Sequence, residues 1–294
     1  MRSFKLTLLL LLLGPSLSAQ ISYSGFIDSI KIELVAKVDY EQECSGIYMY
    51  KNINTPIALR GKLINKDLVL YEKNDKGKTS AVITITDFNK NSQTLNGSWK
   101  SLITKKERHL QLSKTTSIDH TKEVEWKDKE LLQVTSLKNY YFRIILAKSK
   151  DSSEPRVSGL KIFNKKTDLV VQQIELDCSS MGFNSVSAND YNFDGITDFS
   201  VFESSYAGAN TSSIYYLFDP KSATFYDSGF SGISLEFYPQ NKTIIENNQC
   251  CAGSQLSTTI YKLVKGEMVI VSRHCYIWND KKKKHVERDI RYCE

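Results

Sequence analysis

The chain has 294 residues, with 39 Lys and Arg against 33 Asp and Glu, for a formal net charge of +6. So mild a surplus argues against nucleic acid as a partner, which would want a concentrated basic face. After the first 13 residues, no segment has the roughly 20 consecutive apolar residues that a membrane-spanning helix needs.

Arg2 and Lys5 precede an apolar run from Leu6 to Leu13, then Gly14-Pro15 and the small residues Ser16, Ser18 and Ala19. A charged start, a short apolar stretch and a small-residue zone make a secretory signal. We assign it to residues 1–19, with cleavage after Ala19. Loss of two positive charges takes the balance from +6 to +4. The expected mature chain begins at Gln20 and is periplasmic or secreted. No cysteine follows the cut, so no lipid anchor is expected there.

From residue 20 onward the hydrophobic pattern has a period of two, the mark of half-buried strands. Ile30, Ile32, Leu34, Ala36 and Val38 alternate with Lys31, Glu33, Val35, Lys37 and Asp39. Six more strands are predicted over 46–51, 57–63, 68–72, 81–88, 95–102 and 109–112. Tight turns such as Asn74-Asp-Lys-Gly77 join them. The expectation is an N-terminal β-domain, 20–112, in which an antiparallel meander curls into a small barrel or roll. The polar stretch 113–125 lacks alternation and reads as a linker. Beyond it, 126–294 reads as a second β-domain, with strands at 140–147, 157–163, 169–176, 213–219, 224–226, 259–263, 268–278 and 285–292. The predicted class is thus all-β, in two antiparallel domains. Lys281 to Lys284 form the one basic run, read as a hairpin tip.

Residues 190–198 (Asp-Tyr-Asn-Phe-Asp-Gly-Ile-Thr-Asp) carry oxygen-bearing side chains at loop positions 1, 3, 5 and 9. Ca²⁺ takes about 6–8 oxygen ligands, and a tight loop with alternate residues turned inward supplies most of them. The expected ligands are Asp190, Asn192, Asp194, the Ile196 carbonyl and Asp198, with Gly195 making the sharp turn. Loop position 12 is Val201, where an EF-hand needs Glu, and the flanks favour strands over helices. The reading is a strand–loop–strand Ca²⁺ clip, similar to loops in integrin-type propeller blades. The same residue types also make a metal-free turn. Three acids within nine residues argue for a cation, because uncompensated like charges repel.

All six cysteines (Cys44, Cys178, Cys250, Cys251, Cys275, Cys293) follow the signal. An even number in an exported chain favours disulfides, and no zinc spacing is present. Five of them lie beyond residue 177, so the second domain is the one expected to be stapled. Cys44 then needs a partner in the other half or stays free.

The order Leu160-Lys-Ile-Phe163, Leu169 to Ile174, the 190–198 loop, Tyr215-Tyr-Leu-Phe-Asp219 and Cys250-Cys-Ala-Gly253 resembles a family of exported bacterial β-proteins. That family carries one DxNxDGxxD loop and includes periplasmic lysozyme inhibitors. The resemblance covers about residues 130–275 and implies a protein that plugs an enzyme's cleft, with no catalysis of its own. Some such inhibitors insert a Ser-Gly-x-x-Tyr loop. Here Ser45-Gly46-Ile47-Tyr48-Met49-Tyr50 sets its tyrosines one residue to either side, and it also reads as a strand. Cys178-Ser-Ser-Met-Gly-Phe183 is a second candidate inserting loop.

The four histidines (His109, His120, His274, His285) form no metal-hydrolase pattern, and neither GxSxG nor a glycine-rich phosphate loop occurs. No catalytic residues are assigned. The expected function is a Ca²⁺-stabilised exported binding module whose protein partner is a lysozyme-like hydrolase. An envelope or surface adhesive module and an unrecognised hydrolase are the alternatives.

Overall fold

A computed structural model describes residues 20–39, 42–118, 120, 123–207 and 209–293. The assigned signal, 1–19, lies outside the described residues. Two compact units are present. The first falls within Met1–Ser29, Leu34–Gly46 and Leu59–His120, and the second within Ile30–Glu33, Ile47–Ala58 and Thr121–Glu294.

Eight strands in sequence order close a barrel: β1 (Gln20–Ile27), β2 (Ile30–Val38), β3 (Glu43–Tyr50), β4 (Pro56–Ile64), β5 (Asp67–Lys73), β6 (Thr79–Ile85), β7 (Thr94–Ser101) and β8 (Glu107–Ser117). Closure is made by antiparallel pairing of β1 with β8, from Ile21 opposite Ser117 to Ile27 opposite Leu110. The period-two pattern is realised in burial. Leu68 and Leu70 on β5, Ile83 and Ile85 on β6, and Leu110 and Leu112 on β8 are all buried. Closure removes the unpaired edges that an open sheet exposes.

The sequence pattern gave seven strands here, and the eighth is β1. Ser22, Ser24 and Gly25 dilute its alternation, yet Ile21, Tyr23 and Ile27 are buried. The same strand explains why the polar stretch after 112 remains β structure as far as Ser117. That stretch pairs with β1 along its length, and Thr115 Oγ1 donates to the Ser22 carbonyl at 3.0 Å. Close approach decides one barrel position. A Cβ on Gly61 of β4 would lie 1.8 Å from the Val69 carbonyl oxygen of β5.

The second unit contains three antiparallel meanders. The first is β9 (Trp126–Ser136), β10 (Tyr140–Lys148), β11 (Arg156–Asn164) and β12 (Val170–Ser179). The next is β13 (Val186–Asn189), β14 (Asp198–Ser205), β15 (Thr211–Asp219) and β16 (Thr224–Asp227). The last is β17 (Leu235–Tyr238), β18 (Thr243–Cys250), β19 (Gln255–Val264), β20 (Glu267–Asn279) and β21 (Lys284–Arg288). Rings join the first meander to the second, with Phe142 4.9 Å and Tyr140 5.6 Å from Phe199 and Phe225 respectively. A second cluster joins the second to the third, where Tyr191, Tyr215, Leu217 and Phe230 pack with Leu235, Phe237, Leu263 and Met268. Such ring pairs contribute about 0.5–1.5 kcal/mol each beyond their buried area.

Cys275 and Cys293 form a disulfide that ties the tail to β20. Cys44 and Cys178 are buried free thiols, and Cys250 and Cys251 are exposed ones. The disulfide lies in the second half, as expected, and Cys44 takes the free alternative. Among the described residues, no helix is long and apolar enough to cross a membrane.

Candidate metal centre at residues 190–198

The loop joins β13 to β14, and Asn189 and Asp198 pair across its base. Its side chains divide by parity. Tyr191 and Phe193 are buried, whereas Asp190 and Asn192 are half-buried and Asp194 is exposed. The Tyr191 ring lies 4.9 Å from Tyr215 and 4.7 Å from Phe237, and Phe193 lies 6.4 Å from Phe237. Two aromatic anchors thus hold the loop onto the core. Sequence reasoning passed over both, although apolar residues alternating with the oxygen donors were the available signal.

The polar residues fold the loop's backbone around themselves. Asp190 accepts from the Asp194 and Gly195 N–H groups at 3.1 and 2.9 Å. Asn192 Oδ1 accepts from the Asp194 N–H at 3.1 Å, and its Nδ2 donates to Asp194 Oδ2 at 2.9 Å. Asp194 Oδ1 accepts from the Ile196 N–H at 2.7 Å. Gly195 has φ of +86°, with open space where a Cβ would stand. Phe193 has φ of 63° without being glycine. That conformation costs about 1–2 kcal/mol in an ordinary residue, and burial of the ring offsets it.

Asp198 differs from the other acids. It is fully buried, and its two oxygens accept from the Tyr191 and Phe218 N–H groups, both at 2.9 Å. Burial pushes its carboxyl up to about 6, with Asp194 and Asp190 adding to the rise against those two hydrogen bonds. Each carboxylate oxygen can accept twice, so these bonds leave acceptor capacity over. The donors of the loop are all oxygen, the set a hard cation such as Ca²⁺ takes. Their mutual repulsion is the term a cation would offset. Among the described residues, no group of three or more His, Cys, Asp or Glu is gathered as a metal site. The three loop carboxylates, Asp190, Asp194 and Asp198, are thus not drawn together as such a group, and the candidate set adds Asn192 and the Ile196 carbonyl to them.

The other singled-out segments have definite places. Ser45–Tyr50 lies in β3, where Tyr48 is buried with its ring centroid 5.2 Å from that of Tyr50 in an edge-on pair, so it presents no inserting loop. The Cys178–Phe183 segment turns out of β12 and carries Met181, which is 54% exposed. Buried Gln133 fixes that turn. It donates to the Gly182 carbonyl at 3.2 Å and accepts from the Ser185 N–H at 3.0 Å. Lys281 to Lys284 are exposed at the β20–β21 hairpin, where Asn279 pairs with Lys284. His274 bonds Glu287 at 2.8 Å, and His285 bonds the Gly253 carbonyl at 2.8 Å.

No protein-family model matches this chain, and no curated protein does. Among solved structures, the β-propeller domain of the Trilobed protease from Pyrococcus furiosus is 10% identical, covering 93% of this chain and 85% of that one, with a TM-score of 0.25. A protein from Lactobacillus plantarum is 9% identical over 92% of this chain and 95% of that one, with a TM-score of 0.25. A porin-like protein from Bacteroides uniformis is 7% identical over 92% and 96%, with a TM-score of 0.20. Likeness at these scores carries no argument about function.

Proposed function

We propose that this protein is an exported, two-domain β-protein in which Ca²⁺ stabilises the 190–198 loop, and that it acts as a binding module without catalysis. Asp190, Asn192, Asp194, the Ile196 carbonyl and Asp198 would hold the ion. The carrying observation is the loop itself, in which Asp190, Asn192 and Asp194 alternate with two buried aromatic anchors and accept hydrogen bonds from the loop's own backbone. The ion's role is cohesion. It binds the folded loop only, so it adds about 2.7 kcal/mol when its concentration is 100 times the dissociation constant.

Melting with and without chelator tests the metal. The wild-type midpoint should fall on chelation, and Asp194→Ala should lower the midpoint in Ca²⁺ and lose most of the chelator response. An unchanged wild-type curve would sink the metal reading. For the partner we propose a lysozyme-like cell-wall hydrolase, met by an exposed apolar side chain such as Met181. Cell-wall turbidity assays against several lysozyme types test this. Absence of inhibition or binding by every type removes that partner and leaves the metal reading intact.

A further inference from the structure

Cys250 ends β18, and Cys251 opens the turn into β19. Their sulfurs lie 2.7 Å apart, and both residues are exposed. The backbone that brings them together is left-handed three times in succession, with φ of 58°, 53° and 82° at Cys251, Ala252 and Gly253. Such a turn needs holding. The Ser254 N–H and Oγ both donate to the Cys251 carbonyl, at 3.1 and 2.8 Å. The Trp278 N–H donates to the Ser254 carbonyl at 2.7 Å, and His285 Nε2 donates to the Gly253 carbonyl at 2.8 Å. The Gln255 amide completes the clamp, with Oε1 3.8 Å from Cys251 Sγ and Nε2 donating to the Tyr292 carbonyl at 2.9 Å.

The pair lines a cavity of about 810 Å³ together with Tyr206, Asn210, Gln249 and Cys293. No charged side chain is among the described residues that line it. Cys293 is already bonded to Cys275. The remaining free thiols, Cys44 and Cys178, are inside the protein, where burial pushes each up to about 11. One accessible dithiol is therefore left.

We propose that Cys250 and Cys251 are a modification site that closes into a vicinal disulfide by exchange with a low-molecular-weight disulfide entering this cavity. The Cys250 thiolate attacks one sulfur of the small disulfide, whose S–S bond breaks and releases a thiolate. The Cys251 thiolate then attacks Cys250 Sγ and displaces the second small thiolate. Two protons and two electrons pass from the protein dithiol to the small disulfide, which leaves as two thiols. The sulfurs need to close only from 2.7 Å to about 2.05 Å, so no strand has to move. The product is an eight-membered ring that locks the left-handed turn and one wall of the cavity.

The test uses the full chain, exposed to oxidised glutathione, quenched in acid, alkylated and digested with trypsin. Residues 243–262 form one tryptic peptide that holds both cysteines and no other. The expected product is that peptide lighter by two hydrogen atoms, unalkylated, and taking two alkyl groups only after reduction. Cys250→Ser should instead retain one glutathione on Cys251. Two alkyl groups without prior reduction, a stable glutathione adduct on the wild-type pair, or a cross-link to Cys44, Cys178 or Cys293 would each overturn the proposal.

Discussion

The side-chain amide of Gln172 on β12 brackets the backbone of Phe225 on β16, donating to its carbonyl at 2.7 Å and accepting from its N–H at 2.9 Å. β16 is the last strand of its sheet, so the amide takes the place of a neighbouring strand at one residue. Gln172→Leu should cost about 1–3 kcal/mol, the penalty for orphaning buried polar groups, read from urea denaturation. Gln172→Glu should also destabilise, because a carboxylate keeps the acceptor and loses the donor. A cost below about 0.5 kcal/mol for both variants would mean that water replaces the amide.

The Phe193 anchor gives the second test. Phe193→Ala should cost about 3 kcal/mol as a buried aromatic truncation. If Ca²⁺ binds as proposed, the variant should also show a smaller midpoint shift on chelation, because the loop loses its hold on Phe237. An undiminished shift would show that Tyr191 alone positions the donors.

The pH response of Asp198 has a definite sign. Its carboxyl sits near 6 in the folded chain, against about 3.9 unfolded, so the folded state binds the proton more tightly. In chelator, that group contributes stability below about pH 4 and the contribution is lost as pH rises through about 6. Asp168, Asp219 and Asp289 carry lowered values and slope the other way. The measurement is therefore the difference between wild type and Asp198→Asn from pH 4 to 7. The wild type should lose ground with rising pH in chelator, and Ca²⁺ should reverse that trend. A difference that is flat in chelator would remove Asp198 as a raised carboxyl.

In the barrel, Gly61→Ala should destabilise by at least the roughly 1–3 kcal/mol typical of overpacking. Its Cβ would meet a carbonyl oxygen of the neighbouring strand, with no flexible side chain to yield. Denaturation followed at Trp99, on β7 of the barrel, should report the loss. A neutral substitution would show that the β4–β5 pairing can shift to admit a methyl group.

Much of the strand content was legible because one-sided burial imposes period two, as at Ile32, Leu34 and Ala36. Legibility ended where pairing or packing replaced that pattern. Val35 falls on the polar register of β2 and is nevertheless buried. Ser22 to Gly25 lacks clean alternation, and Leu235–Tyr238 and Thr243–Cys250 are strands whose side chains are mostly half-exposed. Of the 190–198 loop, the sharp turn at Gly195, with φ of +86°, was legible from spacing. The burial of Asp198 was not, because it depends on the Phe218 amide from β15, twenty residues later in the chain.

Closure of the barrel through β1 and β8 also sets an order in time. Gln20–Ile27 has β2 beside it from the start, but its other side stays an open edge until Glu107–Ser117 reaches it. Long-range pairing of this kind slows folding, and a waiting edge is the element most open to pairing with another molecule. The vulnerable interval for this chain is therefore the one before β1 meets β8.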